Sequence, residues 1–249
     1  SPSMGEIVSF SVVFPADYTT NGVSSSVVYL LHGAGRDHLT LVTFDTPRAI
    51  LLDAPFVTVM PNGGGGWWID SPTVDESKYE TLVTETIAAA EQVLNVAQNP
   101  ASRGITGWSM GGFGAMRYAQ RHSDQFAGVA TILGLVDFPN WDLPAEQNHS
   151  VPSIFGGSRE MQESFNPLPD VEDVLSMEVM LLTADEAFDF TMNENFHHRL
   201  QQMNKEHEYI VFEGAHTFSI VEQSLPHIVE FFTENLEEPS SVPQTSRYK

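Results

Sequence analysis

A chain of 249 residues, 41% hydrophobic and 18% charged, is long enough to bury a full core and too apolar to be largely disordered. Its 33 acidic residues against 11 basic give a formal charge of −22, a surface that repels phosphate backbones and anionic headgroups. Nucleic acid and membrane surfaces are therefore disfavoured as partners, and a small uncharged molecule fits better. The absence of cysteine excludes disulfides, thiolate metal sites and a cysteine nucleophile.

In chain order, Ser1-Pro2-Ser3 lacks the basic and apolar regions of a signal peptide, and no apolar run approaches a membrane span. A soluble protein is expected; a cytoplasmic chain and a secreted one that has lost its leader read alike. Apolar, β-branched runs bounded by turn residues predict strands at Phe10 to Phe14, Ser26 to Leu31, Phe56 to Met60, Gly104 to Gly107, Phe126 to Leu133, Met177 to Leu182 and Glu208 to Phe212. Helical periodicity marks Tyr79 to Val96, Gly111 to Arg121, Asn193 to Met203 and Phe218 to Leu236. Strand alternating with helix implies an α/β fold with a mostly parallel central sheet covered by helices on both faces. One domain is expected over residues 1–236, with a proline-rich excursion from Asp137 to Asp173 over the carboxyl edge of the sheet and a frayed tail from Glu237 to Lys249.

The chemistry is concentrated in Gly107-Trp108-Ser109-Met110-Gly111, which passes from a strand through a tight turn into a helix rich in small residues. A serine at such a turn projects its hydroxyl above the sheet, and the flanking glycines let strand and helix approach. Ser109 is thus the candidate nucleophile. The N–H of Met110, at the helix start, faces a developing oxyanion.

A serine hydroxyl needs a histidine to take its proton and a carboxylate to orient that histidine, and in this fold the order is Ser, acid, His. Of nine histidines, His216 follows the strand ending near Phe212 and precedes the last helix, which places it at the sheet edge; His122, His149 and His227 are lesser alternatives. His197, His198 and His207 read as solvated surface residues. Asp185 ends an apolar strand and is the preferred acid, with Glu186 and Asp189 as possible substitutes.

The second oxyanion donor comes from Tyr29-Leu30-Leu31-His32-Gly33-Ala34-Gly35: Ala34 is the expected backbone donor, Gly35 the alternative, and His32 orders the loop. Four glycines, Gly63 to Gly66, precede Trp67 and Trp68; Gly66 is expected to let this loop flex while at least one indole lines a substrate pocket, alongside Asn62 and Trp108.

Together, Tyr29 to Gly33, Met60-Pro61-Asn62-Gly63, Trp67-Trp68-Ile69-Asp70, Gly107 to Ala115 and Gly214-Ala215-His216 resemble the putative esterase family of α/β-hydrolases, which includes esterase D, tributyrin, feruloyl and acetylxylan esterases and the mycolyltransferases. The resemblance runs from about Phe10 to Phe232. It implies a serine carboxylesterase acting on small uncharged esters, with triad Ser109, Asp185 and His216, oxyanion donors Ala34 and Met110, and neither metal nor cofactor. An acyltransferase of the same fold, or a catalytically silent binding protein, is the alternative. Two departures stand out: Thr40-Leu41 occupies the region where family members often carry an aromatic residue, and no cysteine lies near Ser109.

Overall fold

The computed structural model describes residues 1–144 and 151–239. Seven strands form one sheet: β1 (Phe10–Val13), β2 (Val27–Leu31), β3 (Val57–Pro61), β4 (Arg103–Trp108), β5 (Gly128–Ile132), β6 (Glu178–Ala184) and β7 (Glu208–Phe212), in the spatial order β1-β3-β2-β4-β5-β6-β7. Only β1 runs antiparallel, against β3; every other neighbour is parallel. This is the α/β-hydrolase arrangement.

The α-helices among the described residues are α1 (Thr40–Thr43), α2 (Asp45–Leu52), α3 (Tyr79–Val93), α4 (Met110–Arg121), α5 (Arg159–Glu163), α6 (Phe190–Gln202) and α7 (Phe218–Asn235). Side chains of a strand alternate between faces, and the core divides accordingly. Val27, Tyr29 and Leu31 of β2 pack with residues of α3, α4 and α6, whereas Val28 and Leu30 pack with residues of α2 and α7. Each central strand is thus buried on both sides, which is why it reads as a continuous apolar run. Phe231 and Phe232 of α7, both buried, are seated in the second layer, where truncation of either to alanine costs about 3–5 kcal/mol.

The chain runs from β2 to β3 on one side and then crosses to β4 on the other. This reversal opens a crevice at the carboxyl ends of β2 and β4, the usual ligand position in an open α/β sheet. The described parts of the Asp137–Asp173 excursion, residues 137–144 and 151–173, pack onto the body: Phe138, Phe155 and Phe165 form an aromatic cluster with Phe113 and Trp67. Its entry is pinned by the buried Asp137 carboxylate, which accepts hydrogen bonds from the side-chain amides of Asn140, Asn166 and Asn195 at 2.7–3.0 Å.

At the opposite, strand-start edge of the sheet, the end of α7 is stapled down. The Glu237 N–H donates to the Ala101 carbonyl at 2.9 Å, and the Glu237 carbonyl accepts from Ser102 Oγ at 2.7 Å and Ser26 Oγ at 3.4 Å. Glu237, expected to open a frayed tail, is thus held to the sheet, and residues 240–249 lie outside the described residues. No described helix is long and apolar enough to cross a membrane.

Candidate active site

Ser109 occupies the turn between β4 and α4 with φ 56° and ψ −120°, a backbone conformation strongly disfavoured for a residue with a side chain. Close packing holds it there. A Cβ on Gly107 would fall 2.3 Å from the Gly111 carbonyl oxygen, and one on Gly111 would fall 2.0 Å from that of Leu31. These neighbours are backbone atoms, so only glycine fits at either position. Met110, the first residue of α4, has an N–H with no intrahelical acceptor, in position for an oxyanion donor.

His216 Nε2 lies 2.9 Å from Ser109 Oγ, and His216 Nδ1 lies 2.5 Å from Asp189 Oδ1. An ionised carboxylate only accepts, so Nδ1 carries the ring proton and Nε2 faces the serine with its lone pair. Asp189 is fully buried, and its second oxygen accepts from Thr183 Oγ1 at 3.2 Å and Asn193 Nδ2 at 2.9 Å. The Phe188 ring stacks on the imidazole, with centroids 4.3 Å apart.

The structure does not bring Asp185 to His216, correcting the preferred assignment. Asp185 Oδ1 instead accepts the backbone N–H of Gly214 at 2.9 Å, and the Glu186 N–H donates to the Gly214 carbonyl at 2.8 Å. A turn from Ala184 to Phe190 follows β6, carrying the chain back beneath the imidazole before the acid is placed at the entrance of α6. Asp185 docks the loop that bears His216; Asp189 meets the ring.

Two of the alternative histidines are engaged elsewhere: His122 lies near Glu80 and Tyr118, and His227 lies against Phe212. His149 is outside the described residues. The surface reading of His197 and His207 is also corrected. Both are half-buried and bonded to each other at 2.7 Å, and His197 stacks on Tyr209; burial holds His197 below the usual imidazole pKa.

The loop after β2 turns at Gly35, whose φ of 69° favours glycine, and leaves Ala34 exposed at the cleft. His32 is buried beneath it. Its Nε2 accepts the Gly63 N–H at 3.0 Å, so Nδ1 donates to the Gly33 carbonyl at 2.9 Å. Burial lowers its pKa, which favours the neutral ring that this bonding needs.

Ser109 opens into a cleft of about 160 Å³ lined by Ala34, Arg36, Trp108, Leu133, His216 and Phe218, among others. Trp108 is the one substrate-side tryptophan that reaches it. Trp68 is buried: its Nε1 donates to the His32 carbonyl at 3.2 Å, and the indole is wedged where side chains on Gly63 or Gly114 would collide with it. Trp67 stacks on Phe138 at 5.1 Å within the aromatic cluster. Asn62 follows β3, with its N–H bonded to the Ser9 carbonyl, and is not among the residues lining the cleft. Gly66 packs closely against Tyr79, since a Cβ there would fall 1.9 Å from its ring.

The sequence carries little signal for Arg36, Leu133 or Phe218 as cleft residues, because they come from three separate segments that only the sheet crossover brings together. Among the described residues no cluster of three or more histidines and carboxylates is arranged to hold a metal ion.

A family model described as "Putative esterase" matches residues 1–164. The chain belongs to this esterase family. An esterase of Mycobacterium tuberculosis strain H37Rv is 33% identical to it over 130 residues, which make up 50% of this chain and 28% of that protein; the shared stretch is thus under a third of the relative's length. Among solved structures, a ferulic acid esterase superposes with TM-score 0.79 at 23% identity, covering 95% of this chain and 96% of that one. An S-formylglutathione hydrolase from Agrobacterium tumefaciens superposes with TM-score 0.78 at 18% identity over 95% and 93%. At these identities the structural matches establish the shared esterase-family fold.

Proposed function

We propose that the protein is a serine carboxylesterase that hydrolyses esters of short-chain or aromatic acids through an acyl-enzyme. The observation that carries this reading is the continuous hydrogen-bonded chain Ser109–His216–Asp189, at 2.9 and 2.5 Å, at the mouth of a cleft. Ser109 Oγ attacks the ester carbonyl as its proton passes to His216 Nε2, and the imidazolium that forms is stabilised by Asp189. The N–H groups of Ala34 and Met110 take the negative oxygen of the tetrahedral intermediate. His216 then protonates the departing alkoxide, and an acyl-Ser109 ester remains. A water that gives its proton to His216 attacks this ester, releasing the acid and restoring the serine.

The test is pre-steady-state hydrolysis of para-nitrophenyl butyrate together with labelling by a fluorophosphonate. A burst of nitrophenol and labelling of the folded protein are expected, both lost in Ser109→Ala. Turnover unchanged in that variant would refute the reading.

A further inference from the structure

We propose that Arg36 is an anion-binding, specificity-determining residue of the cleft, and that the preferred substrates are esters bearing a carboxylate on their acyl or alcohol half. The proposal rests on the reading of Ser109 as nucleophile. Arg36 lines the same cleft as Ser109 and His216, and among the described residues no carboxylate side chain lines it. The Arg36 guanidinium lies over the ring of Phe218, 5.0 Å from its centroid. That cation–π contact tethers the guanidinium beside the cleft, and a guanidinium held there has N–H donors for a carboxylate.

Its lack of a partner is the telling feature. In a chain with 33 acidic residues, Arg48, Arg103, Arg121, Arg159 and Lys205 each meet a carboxylate, whereas among the described residues Arg36, like Arg117, Arg199 and Lys78, meets none, and of these four it is Arg36 that lines the cleft. The adjacent Asp37 is turned away: its Oδ1 accepts the Leu39 N–H at 2.9 Å and the Thr40 hydroxyl at 3.2 Å at the start of α1. Phe218 is itself braced by Phe44 and Trp108, with ring centroids 5.0 and 6.5 Å away, so the platform under the guanidinium is fixed.

Apolar walls from Trp108, Leu133, Phe218 and Val221 suit the stem of an ester, and a single uncompensated cation suits its charged end. The −22 charge disfavours anionic molecules over the bulk surface. A local guanidinium at the cleft is what an anionic substrate needs to overcome that field.

Two matched pairs separate the acyl and alcohol placements: para-nitrophenyl hydrogen glutarate against para-nitrophenyl pentanoate, and para-acetoxybenzoate against its methyl ester. The ratio of kcat/KM for the anionic member to that for the neutral member is measured in the wild type, Arg36→Gln and Arg36→Lys. In one pair the ratio should fall by about tenfold or more in Arg36→Gln, mainly through KM, and recover in part in Arg36→Lys. Inhibition by the matching free anion, glutarate or para-hydroxybenzoate, should weaken in parallel. A ratio that does not move in either pair, or a proportional fall of both members with unchanged inhibition, overturns the proposal while leaving the esterase reading intact. Absence of wild-type turnover on all four esters defeats the esterase reading and this proposal with it.

Discussion

His216 Nδ1 and Asp189 Oδ1 are 2.5 Å apart, and the Asp189 carboxylate is sealed from solvent. Asp185, four residues earlier, is exposed and bonded to the backbone of Gly214. The two acids should therefore separate kinetically. Asp189→Asn should lower kcat on para-nitrophenyl butyrate by about 10³–10⁴-fold, because the amide admits the wrong imidazole tautomer. Asp185→Asn, which keeps an oxygen for the Gly214 N–H, should cost less than about tenfold. Equal losses would contradict this division of labour.

Asn193 is fully buried, and its amide donates to the Asp189 side chain, the Asp189 carbonyl and the Gly134 carbonyl at 2.9–3.0 Å. Asn193→Leu leaves the buried Gly134 carbonyl without this donor and Asp189 with one donor fewer. A stability loss of about 1–3 kcal/mol by urea denaturation is expected. With one donor fewer, the Asp189 carboxylate is held less firmly against His216, and kcat on para-nitrophenyl butyrate should fall by about tenfold or less. A kcat that does not fall would limit Asn193 to stability alone.

The seven strands, the elbow and His216 were legible in the sequence because each has a local cause: β-branched runs buried on both faces, glycines where backbones touch, and a histidine at a strand end. The acid was less so. Strand-end logic points to the first carboxylate after β6, but its position is decided by a turn through Ala187 and by the donors Thr183 and Asn193, a tertiary arrangement with no sequence period. The short helices α1 and α2 carry too few turns for a period to emerge, and Trp67-Trp68 reads as pocket wall although packing sends both indoles inward. Positive φ at both residues, 56° and 58°, is the backbone signature of that inward turn, and it has no counterpart in composition.

Gly66 offers a test of the packed-loop view. Gly66→Ala should destabilise the protein by about 1–3 kcal/mol, because the new methyl meets the base of the Tyr79 ring. In the double variant with Tyr79→Ala the added cost of the methyl should largely vanish. An additive double variant would show that the loop yields instead.

For His32 the sign follows from its lowered pKa. The unfolded chain takes up a proton near pH 6.5 and the folded protein only at lower pH, so the contribution of this residue to stability is present above that range and fades on acidification. Replacement by Gln should therefore cost more at pH 7.5 than at pH 5.5 by urea denaturation, the gap narrowing by at most about 1.4 kcal/mol per pH unit. A gap that widens in acid would reverse the assignment.

The staple of Glu237 to Ser26, Ala101 and Ser102 has a practical consequence. Ser26 and Ser102 precede the first residues of two parallel strands whose far ends carry Ala34 and Ser109. Glu237 and Glu238 thus sit at the rear of the sheet. A dye or solid support attached at this edge, through the exposed Glu238 for example, stands away from the cleft, so the tethered protein keeps its access to substrate.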